Sequence, residues 1–261
     1  MQLNDQTVVI TGASSGLGKA IAFACAKRGA TVVLLARCLG VLQHVQAQVS
    51  ALSGKPAYAY ALDVADPTMC QAVAKRVLAQ VPQVDVLVNA AGFGHFEAAL
   101  ETSPKVIEAM FRTNVLGTMY MTRLFGRAMI AQGRGHIINI ASMAGKMATP
   151  KSAIYSASKF AVVGFSNGLR LELKPLGVKV TTVNPGPINT NFFAVAKASD
   201  YLQSVKALAL DPDKLAARIV NAFNKPVREI NAPGVMAVAA VGYNLLPHLG
   251  DWLAGGMFNK K

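Results

Sequence analysis

Apolar residues fall along the chain in short bounded runs that alternate with longer helical patterns. Val8, Val9 and Ile10 form the first run, which stops at Thr11-Gly12. A helical stretch from about Leu17 to Arg28 follows, with Gly29 placed as its C-terminal stop. Further runs lie at Thr31–Ala36, Ala57–Leu62, Val84–Asn89, Gly135–Ala141 and Val178–Val183, and a helical pattern spans Leu39 to Leu52. Short apolar strands separated by helices predict a mostly parallel sheet, of six or seven strands, covered on both faces. The fold class is therefore α/β and doubly wound.

Two long helices are expected to matter most. One opens at Ser103-Pro104, an N-cap followed by a proline at the first helical position, and runs towards Ala131. The other covers roughly Ser152 to Leu173 and stops before Pro175-Leu-Gly177. No repeat, low-complexity tract or linker divides the 261 residues, so residues 1–261 read as a single domain. The segment from 230 to 258 is different. Between Ile230 and Gly250 there is no Asp, Glu, Lys or Arg. Pro233, Asn244, Pro247 and His248 interrupt it, which argues against a spanning helix of about 20 apolar residues. It is expected to be a buried interface, within the domain or against a second subunit, or else a peripheral membrane contact.

Composition narrows the classes of function. With 52% apolar and 15% charged residues the chain is able to bury a large core. The net charge of +13 suits an anionic partner or cofactor, but the basic residues are spread along the whole chain. No block of like charge marks a nucleic-acid arm, and nucleic acid is not expected as a partner. Cys25, Cys38 and Cys70 form no Cys-x-x-Cys pair and read as free thiols of a reducing compartment. Met-Gln-Leu-Asn-Asp at the start has no secretory pattern. A cytoplasmic location, peripheral to the membrane at most, is the expectation.

The chemistry begins at Thr11-Gly-Ala-Ser-Ser-Gly-Leu-Gly18, between the first strand and the first helix. Glycine lets the backbone turn tightly and approach a pyrophosphate, whose charge meets the helix N-terminus. Gly12, Ser14, Ser15, Gly16, Leu17 and Gly18 are thus candidate cofactor contacts. The second strand ends in Ala36-Arg37, without the acid that would bind an adenosine ribose and repel a 2′-phosphate. Arg37 is either the ligand of that phosphate or a solvated surface residue. Asp63-Val64, at the end of the third strand, suits an adenine edge, and a turn or helix cap equally well.

Tyr155-Ser-Ala-Ser-Lys159 places a phenol and an ammonium one helical turn apart on one face. A free tyrosine has a pKa of about 10, and a neighbouring cation lowers it, making the phenol usable as an acid or base near neutrality. Ser142 lies at the end of the fifth strand, where its hydroxyl is able to hold a substrate oxygen. His44, His95, His136 and His248 have no metal-ligand spacing, and no metal is expected. His95, after the fourth strand, either touches substrate or is an ordinary loop histidine. Phe93, Phe96, Met143, Met147, Phe192 and Phe193 stand near these motifs and point to an apolar substrate. Between Asn191 and Leu210, a stripe including Tyr201, Leu202, Val205 and Leu208 serves core packing or substrate contact alike.

These residues together resemble the short-chain dehydrogenase/reductase family in its compact form. The likeness covers about residues 5 to 190. It rests on Thr11-Gly12-x-x-x-Gly16-x-Gly18, Asp63, Asn89-Ala-Ala-Gly92, Asn114, Ser142, Tyr155-x-x-x-Lys159 and Pro185-Gly186-Pro-Ile188-Asn-Thr190. The resemblance implies a Rossmann fold and an oxidoreductase that interconverts a carbonyl and a secondary alcohol by hydride transfer. It implies that Tyr155 protonates the carbonyl oxygen, Ser142 orients it, and Lys159 contacts the nicotinamide ribose. Asn114 would bend its helix and hold a water linking Lys159 to solvent. Asn89, Ala90 and Gly92 would line the adenosine side, and Pro185, Gly186, Ile188 and Thr190 the nicotinamide. Three departures stand out. Ala90 replaces a frequent asparagine, Ser15 is not the extra cation of many NADP(H)-binding members, and Arg228-Glu-Ile-Asn-Ala-Pro-Gly234 stands where a clearer final strand is usual. With Arg37 present and no acid beside it, NADP(H) is expected in preference to NAD(H), and a homo-oligomer is expected. A catalytically idle redox sensor, or a membrane-associated scaffold, would be the rival readings; the complete Ser142, Tyr155 and Lys159 set argues against a sensor, which needs only the cofactor half.

Overall fold

Seven parallel strands form one sheet: β1 (Thr7–Thr11), β2 (Thr31–Ala36), β3 (Tyr58–Ala61), β4 (Val86–Asn89), β5 (Gly135–Ile140), β6 (Val178–Pro185) and β7 (Glu229–Ala232). The computed structural model describes residues 2–190, 192, 196 and 208–257. Around the sheet lie α1 (Gly16–Ala26), α2 (Leu39–Ser53), α3 (Pro67–Gln80), α4 (Pro104–Phe111), α5 (Thr118–Ala131), α6 (Ala153–Leu173) and α7 (Pro212–Asn221). Two further helices close the chain, α8 (Gly234–Leu245) and α9 (Pro247–Met257). Strand order is β3-β2-β1-β4-β5-β6-β7. This is the doubly wound Rossmann arrangement. The order reverses between β1 and β4, and the crevice beyond their carboxyl ends is where such sheets bind ligands.

The two-residue period of the strands explains why the runs are apolar throughout. Val8 and Ile10 of β1, with Val32 and Leu34 of β2, pack towards α1, α2 and α7. Val9, Val33 and Leu35 point the other way, into a layer with Phe125 and Met129 of α5 and Val73 and Val77 of α3. Each such side chain contributes roughly 1.5–3 kcal/mol on full burial. A charge on either face would have nowhere to go.

Some polar groups inside this core are paired, while Asn89 Oδ1 and Asn184 Oδ1 are buried without a hydrogen-bond partner among the described residues. His136 of β5 is fully buried, its Nδ1 accepting from the Asn224 amide at 3.0 Å and its Nε2 lying 2.8 Å from Thr181 Oγ1. Burial first, and the Lys179 charge second, push its pKa down to about 3. It is a packing histidine.

Several elements refine the sequence reading. The long helix from Pro104 runs to Ala131 as expected, but a π-helical segment at Arg112–Gly117 lies within it, between α4 and α5. Ser103 precedes it without a side-chain cap bond. β7 is built from Glu-Ile-Asn-Ala, within the Arg228–Gly234 stretch that stands in place of the usual final strand, and only Ile230 and Ala232 of it are buried. In the segment beginning at Ile230, α8 packs one side on the domain, and α8 and α9 carry exposed apolar residues on the other. Phe193, Tyr201, Leu202, Val205 and Phe258 lie outside the described residues.

Candidate active site

One cavity of about 950 Å³ lies over the carboxyl ends of β1, β4, β5 and β6. Its first wall is the turn from Thr11 to Gly18. Gly12 has φ +68, and a Cβ there would sit 2.9 Å from the Ala90 carbonyl oxygen, so the position admits only glycine without rearrangement. A Cβ on Gly18 would collide with the Gly12 carbonyl. Thr11 clips the turn to the neighbouring strand end, its Oγ1 accepting from the Ala90 and Ala91 amides at 3.1 and 3.0 Å. Ser15 precedes α1 without a side-chain cap, and no acid occupies the first turn. That leaves the helix N-terminus free to meet an anion. A cofactor pyrophosphate fits this cradle by charge and by space.

Ala36, Arg37 and Cys38 at the end of β2 continue the wall, together with Lys19 and Phe23 of α1 and Lys27 just after it. Lys19, Phe23 and Lys27 recur every fourth residue and so share a helix face. The Lys19 ammonium lies 5.7 Å from the Phe23 ring centroid. The carboxylates on the cavity wall are Asp63 and, at the start of α7, Asp213. Asp63 Oδ1 accepts from the Ala65 amide at 2.9 Å, so it holds its own turn while it faces the cavity with Val64.

Further along, Ala90, Gly92, Phe93, Ser142, Tyr155 and Lys159 meet. Ser142 lies just beyond β5, and its hydroxyl accepts from the Ala144 amide at 3.1 Å while donating to Pro185 O at 3.4 Å. Lys159, on α6, is buried, with Nζ 3.0 Å from Ile140 O and 5.8 Å from the Tyr155 ring centroid. Burial pushes its pKa down to about 8. Tyr155 stands between two rings, Phe96 at 5.4 Å and Phe192 at 5.9 Å between centroids. Pro185, at the end of β6, and Gly186, Ile188 and Thr190 after it also line the cavity.

Two expected site residues sit behind the wall rather than on it. Asn89 is buried, its amide donating to Thr122 Oγ1 at 3.0 Å and Asn139 Oδ1 at 2.9 Å, and so ties β4 to β5 and α5. Asn114 lies in the π-helical segment. Its Oδ1 accepts from Phe93 N, and its two amide protons go to Phe93 O and Ser158 Oγ. A Cβ on Gly92 would come within 3.0 Å of that Oδ1, so Gly92 and Asn114 share a close approach. His95 pairs with Glu97 at 3.0 Å and is not on the cavity wall. The far end is apolar: Phe96, Met143, Met147, Phe192 and Met236. Met236, on α8, has no signal near the motifs. Lys19 and Lys27 have one, their spacing on the first helix.

Comparison with known proteins decides the family. A family model described as short chain dehydrogenase matches residues 6–200. The chain belongs to the short-chain dehydrogenase family. It is an NAD(P)-dependent dehydrogenase/reductase, and the fold and the Ser142, Tyr155 and Lys159 cluster stand in a member of that family. A Drosophila melanogaster "Dehydrogenase/reductase SDR family protein 7-like" is 34% identical over 97% of this chain and 80% of that protein. The structure of a short-chain dehydrogenase/reductase from Burkholderia phymatum in complex with NAD superposes with a TM-score of 0.88 at 25% identity, covering 96% of this chain and 97% of the other. L-sorbose reductase from Gluconobacter frateurii, complexed with NADPH and L-sorbose, gives 0.82 at 29% identity, covering 89% and 96%.

Proposed function

We propose that this short-chain dehydrogenase interconverts an apolar carbonyl compound and its secondary alcohol, using NADP(H) in preference to NAD(H). The observation that carries the reading is the position of Ser142, Tyr155 and Lys159 on one cavity, between an anion cradle and an apolar end. A bound nicotinamide cofactor supplies or accepts the hydride. Gly12, Ser14, Ser15, Gly16, Leu17 and Gly18 would hold its pyrophosphate, and Pro185, Gly186, Ile188 and Thr190 its nicotinamide end. Asp63, Val64, Ala90 and Gly92 would line the adenosine side, with Asn89 supporting them from behind.

Tyr155 gives its phenolic proton to the carbonyl oxygen on reduction and takes it back on oxidation. Its ring is flanked by Phe96 and Phe192, which keep bulk water from that oxygen. Ser142 orients the same oxygen through a hydroxyl already fixed by the Ala144 amide. Lys159 uses one of its three donors on Ile140 O, leaving others for a ribose, and its charge favours the phenolate during the transfer. Asn114 acts as a positioning residue. Both its amide protons are used within the protein, so a water relaying protons from Lys159 would have to use its oxygens.

Cofactor choice rests on Arg37, with Ala36 offering no competing carboxylate. Lys19 and Lys27 on the same cavity end add positive charge that Ser15 does not supply. The related structures include both cofactors, NAD in the Burkholderia phymatum complex and NADPH in that of L-sorbose reductase. The deciding experiment follows oxidation of NADPH and of NADH across a panel of ketones and aldehydes, and the reverse reaction with secondary alcohols. Higher kcat/KM with NADPH and with apolar carbonyls is expected. A preference for NADH, or for small charged ketoacids, defeats the corresponding part of the reading.

A further inference from the structure

The outer face of α8 and α9 has no role in the cavity chemistry. Inward, Met236 and Ala240 of α8 pack on Met143 and Met147, and Met236 is also part of the apolar end of the cavity. The Asn244 side chain donates to Lys146 O at 3.1 Å, and Tyr243 donates to Asp251 at 3.0 Å, which ties α8 to the loop after β5 and to α9. On the other side Val235, Val238, Val241 and Leu245 recur at helical spacing. Leu246, Leu249 and Trp252 continue the stripe, and Val238, Leu245 and Trp252 are each 74% exposed. Single exposed apolar residues are ordinary, but a continuous stripe marks a contact surface. Among the described residues no helix is long and apolar enough to cross a membrane.

Charge selects the occupant. Between Ile230 and Met257 the acidic and basic residues reduce to Asp251, which accepts from Tyr243, and His248. The loop against α8 carries Lys146, whose charge is met by Glu229 at 2.7 Å, and the exposed Lys151, and Lys260 and Lys261 follow in the sequence. The whole chain is +13. A second copy would also carry +13 over its whole chain, and that like net charge opposes its approach. An anionic bilayer attracts it instead, each nearby Lys or Arg strengthening binding about fivefold. Tryptophan at the end of an apolar stripe suits the boundary between acyl chains and headgroups.

We propose that the outer face of α8 and α9 docks the enzyme on an anionic lipid bilayer, with the cavity opening beside the membrane behind Met236. The contact stands independently of the reaction. Its use, delivery of a membrane-dissolved carbonyl compound, rests on the apolar-substrate reading above.

Trp252 is the single tryptophan of the chain, so its fluorescence reports on this face directly. The full-length protein is titrated with vesicles of phosphatidylcholine mixed with phosphatidylglycerol, and with phosphatidylcholine alone. Expected are a blue shift of emission and quenching by brominated acyl chains with the anionic vesicles, both reversed by salt, and little change with the neutral ones. The double variant Val238→Glu, Leu245→Glu should bind anionic vesicles about tenfold more weakly or worse. Its kcat on a water-soluble ketone should match wild type, which establishes that it is folded. Unchanged Trp252 emission overturns the proposal, as does equal binding to neutral vesicles or a double variant that binds as wild type does. So does a wild-type assembly that the double variant dissociates, with Trp252 already shielded in the absence of lipid, because the face then belongs to a second copy. Docking without faster turnover of a membrane-dissolved ketone overturns delivery alone and leaves the water-soluble assay to judge the catalytic reading.

Discussion

Beyond β1 and β2 the cavity wall is mainly backbone and cation: Gly12, Gly16, Gly18, the start of α1, Arg37 and Lys19. At the other end, under Tyr155, it is side chain: Phe96, Phe192, Met143, Met147 and Met236. The first end has its shape set by positions where a Cβ is excluded, as at Gly12 against the Ala90 carbonyl. The second is filled by flexible thioethers and by rings drawn from segments far apart in the chain, so its shape can change without disturbing the sheet. Demanding chemistry for a fixed partner and tolerant packing for a variable one have been given to different materials. Tyr155 and Lys159 stand at the join.

The most damaging test of that division is Tyr155→Phe. Removing the hydroxyl leaves the ring between Phe96 and Phe192, so both ends keep their shape. Turnover is expected to fall by about 10²–10⁴-fold or more. Cofactor affinity, followed by quenching or energy transfer on titration with NADPH, should stay near wild type. Near-normal kcat on the best substrate would mean that the proton comes from elsewhere.

Lys159 tests the join by pH. Its pKa in the folded cofactor-free protein is pushed down to about 8 by burial, against 10.5 in an exposed lysine. Below about 8 the ammonium is present in both folded and unfolded chains. Between about 8 and 10.5 the folded protein has lost a proton that the unfolded chain still holds. Stability therefore rises with pH through that window, by about 3 kcal/mol at most. Cofactor affinity should move the opposite way, falling above about pH 8 as the charge facing the ribose disappears. Denaturant melts and NADPH titrations over that range check both slopes. Lys159→Met should flatten both, and a wild type with parallel slopes refutes the assignment.

At the backbone end, Arg37→Ala should weaken NADPH binding by about 1.5–3 kcal/mol, the range for a charge-assisted hydrogen bond, and leave NADH binding nearly as it was. That is roughly tenfold to somewhat over a hundredfold. Lys19→Ala should act in the same direction and more weakly, because its ammonium also lies near the Phe23 ring. The reverse design, Ala36→Asp with Arg37→Ala, should favour NADH. Equal loss for both cofactors in Arg37→Ala would show that the arginine supports the β2 turn and not a phosphate.

The backbone end is also the end most legible in the amino-acid sequence. Thr11 to Gly18, Ala36-Arg37 and Tyr155-x-x-x-Lys159 are each contiguous, and local spacing carries their geometry. Most strands are legible because apolar residues line the buried faces of the sheet, and β3, partly buried at one edge, is legible by its alternation. β7 is only faintly marked within Arg228–Gly234, since only Ile230 and Ala232 are buried and edge position relaxes the demand on the rest. A bend at Asn114 is implied by the family resemblance and not by local spacing, and the structure places Asn114 in a π-helical segment bonded to Phe93 and Ser158. The family resemblance implies a place for Asn89 on the adenosine side, yet its side chain turns to Asn139 and Thr122 beneath the wall. Met236 lies 77 residues after Lys159, and nothing short of the fold brings it beside Met143.

The gentlest test addresses the side-chain end. A series of unbranched methyl ketones that differ by one CH₂ should show kcat/KM rising by about 0.8 kcal/mol per step, close to fourfold, while each added group leaves water for the Phe96, Met143 and Met147 wall. The rise should stop when the pocket is full, and Met147→Ala should move that limit to longer chains without changing NADPH affinity. Steps much smaller than this from the first member would mean that the alkyl chain stays in solvent and that the apolar wall serves packing alone. Repeating the series in Arg37→Ala completes the comparison. Sites without shared partners add within about 0.3–0.5 kcal/mol, so the slope per CH₂ should be the same with the arginine and without it. A changed slope would show that the two ends are coupled through Tyr155, and that rigid and tolerant walls are not independent parts of this cavity.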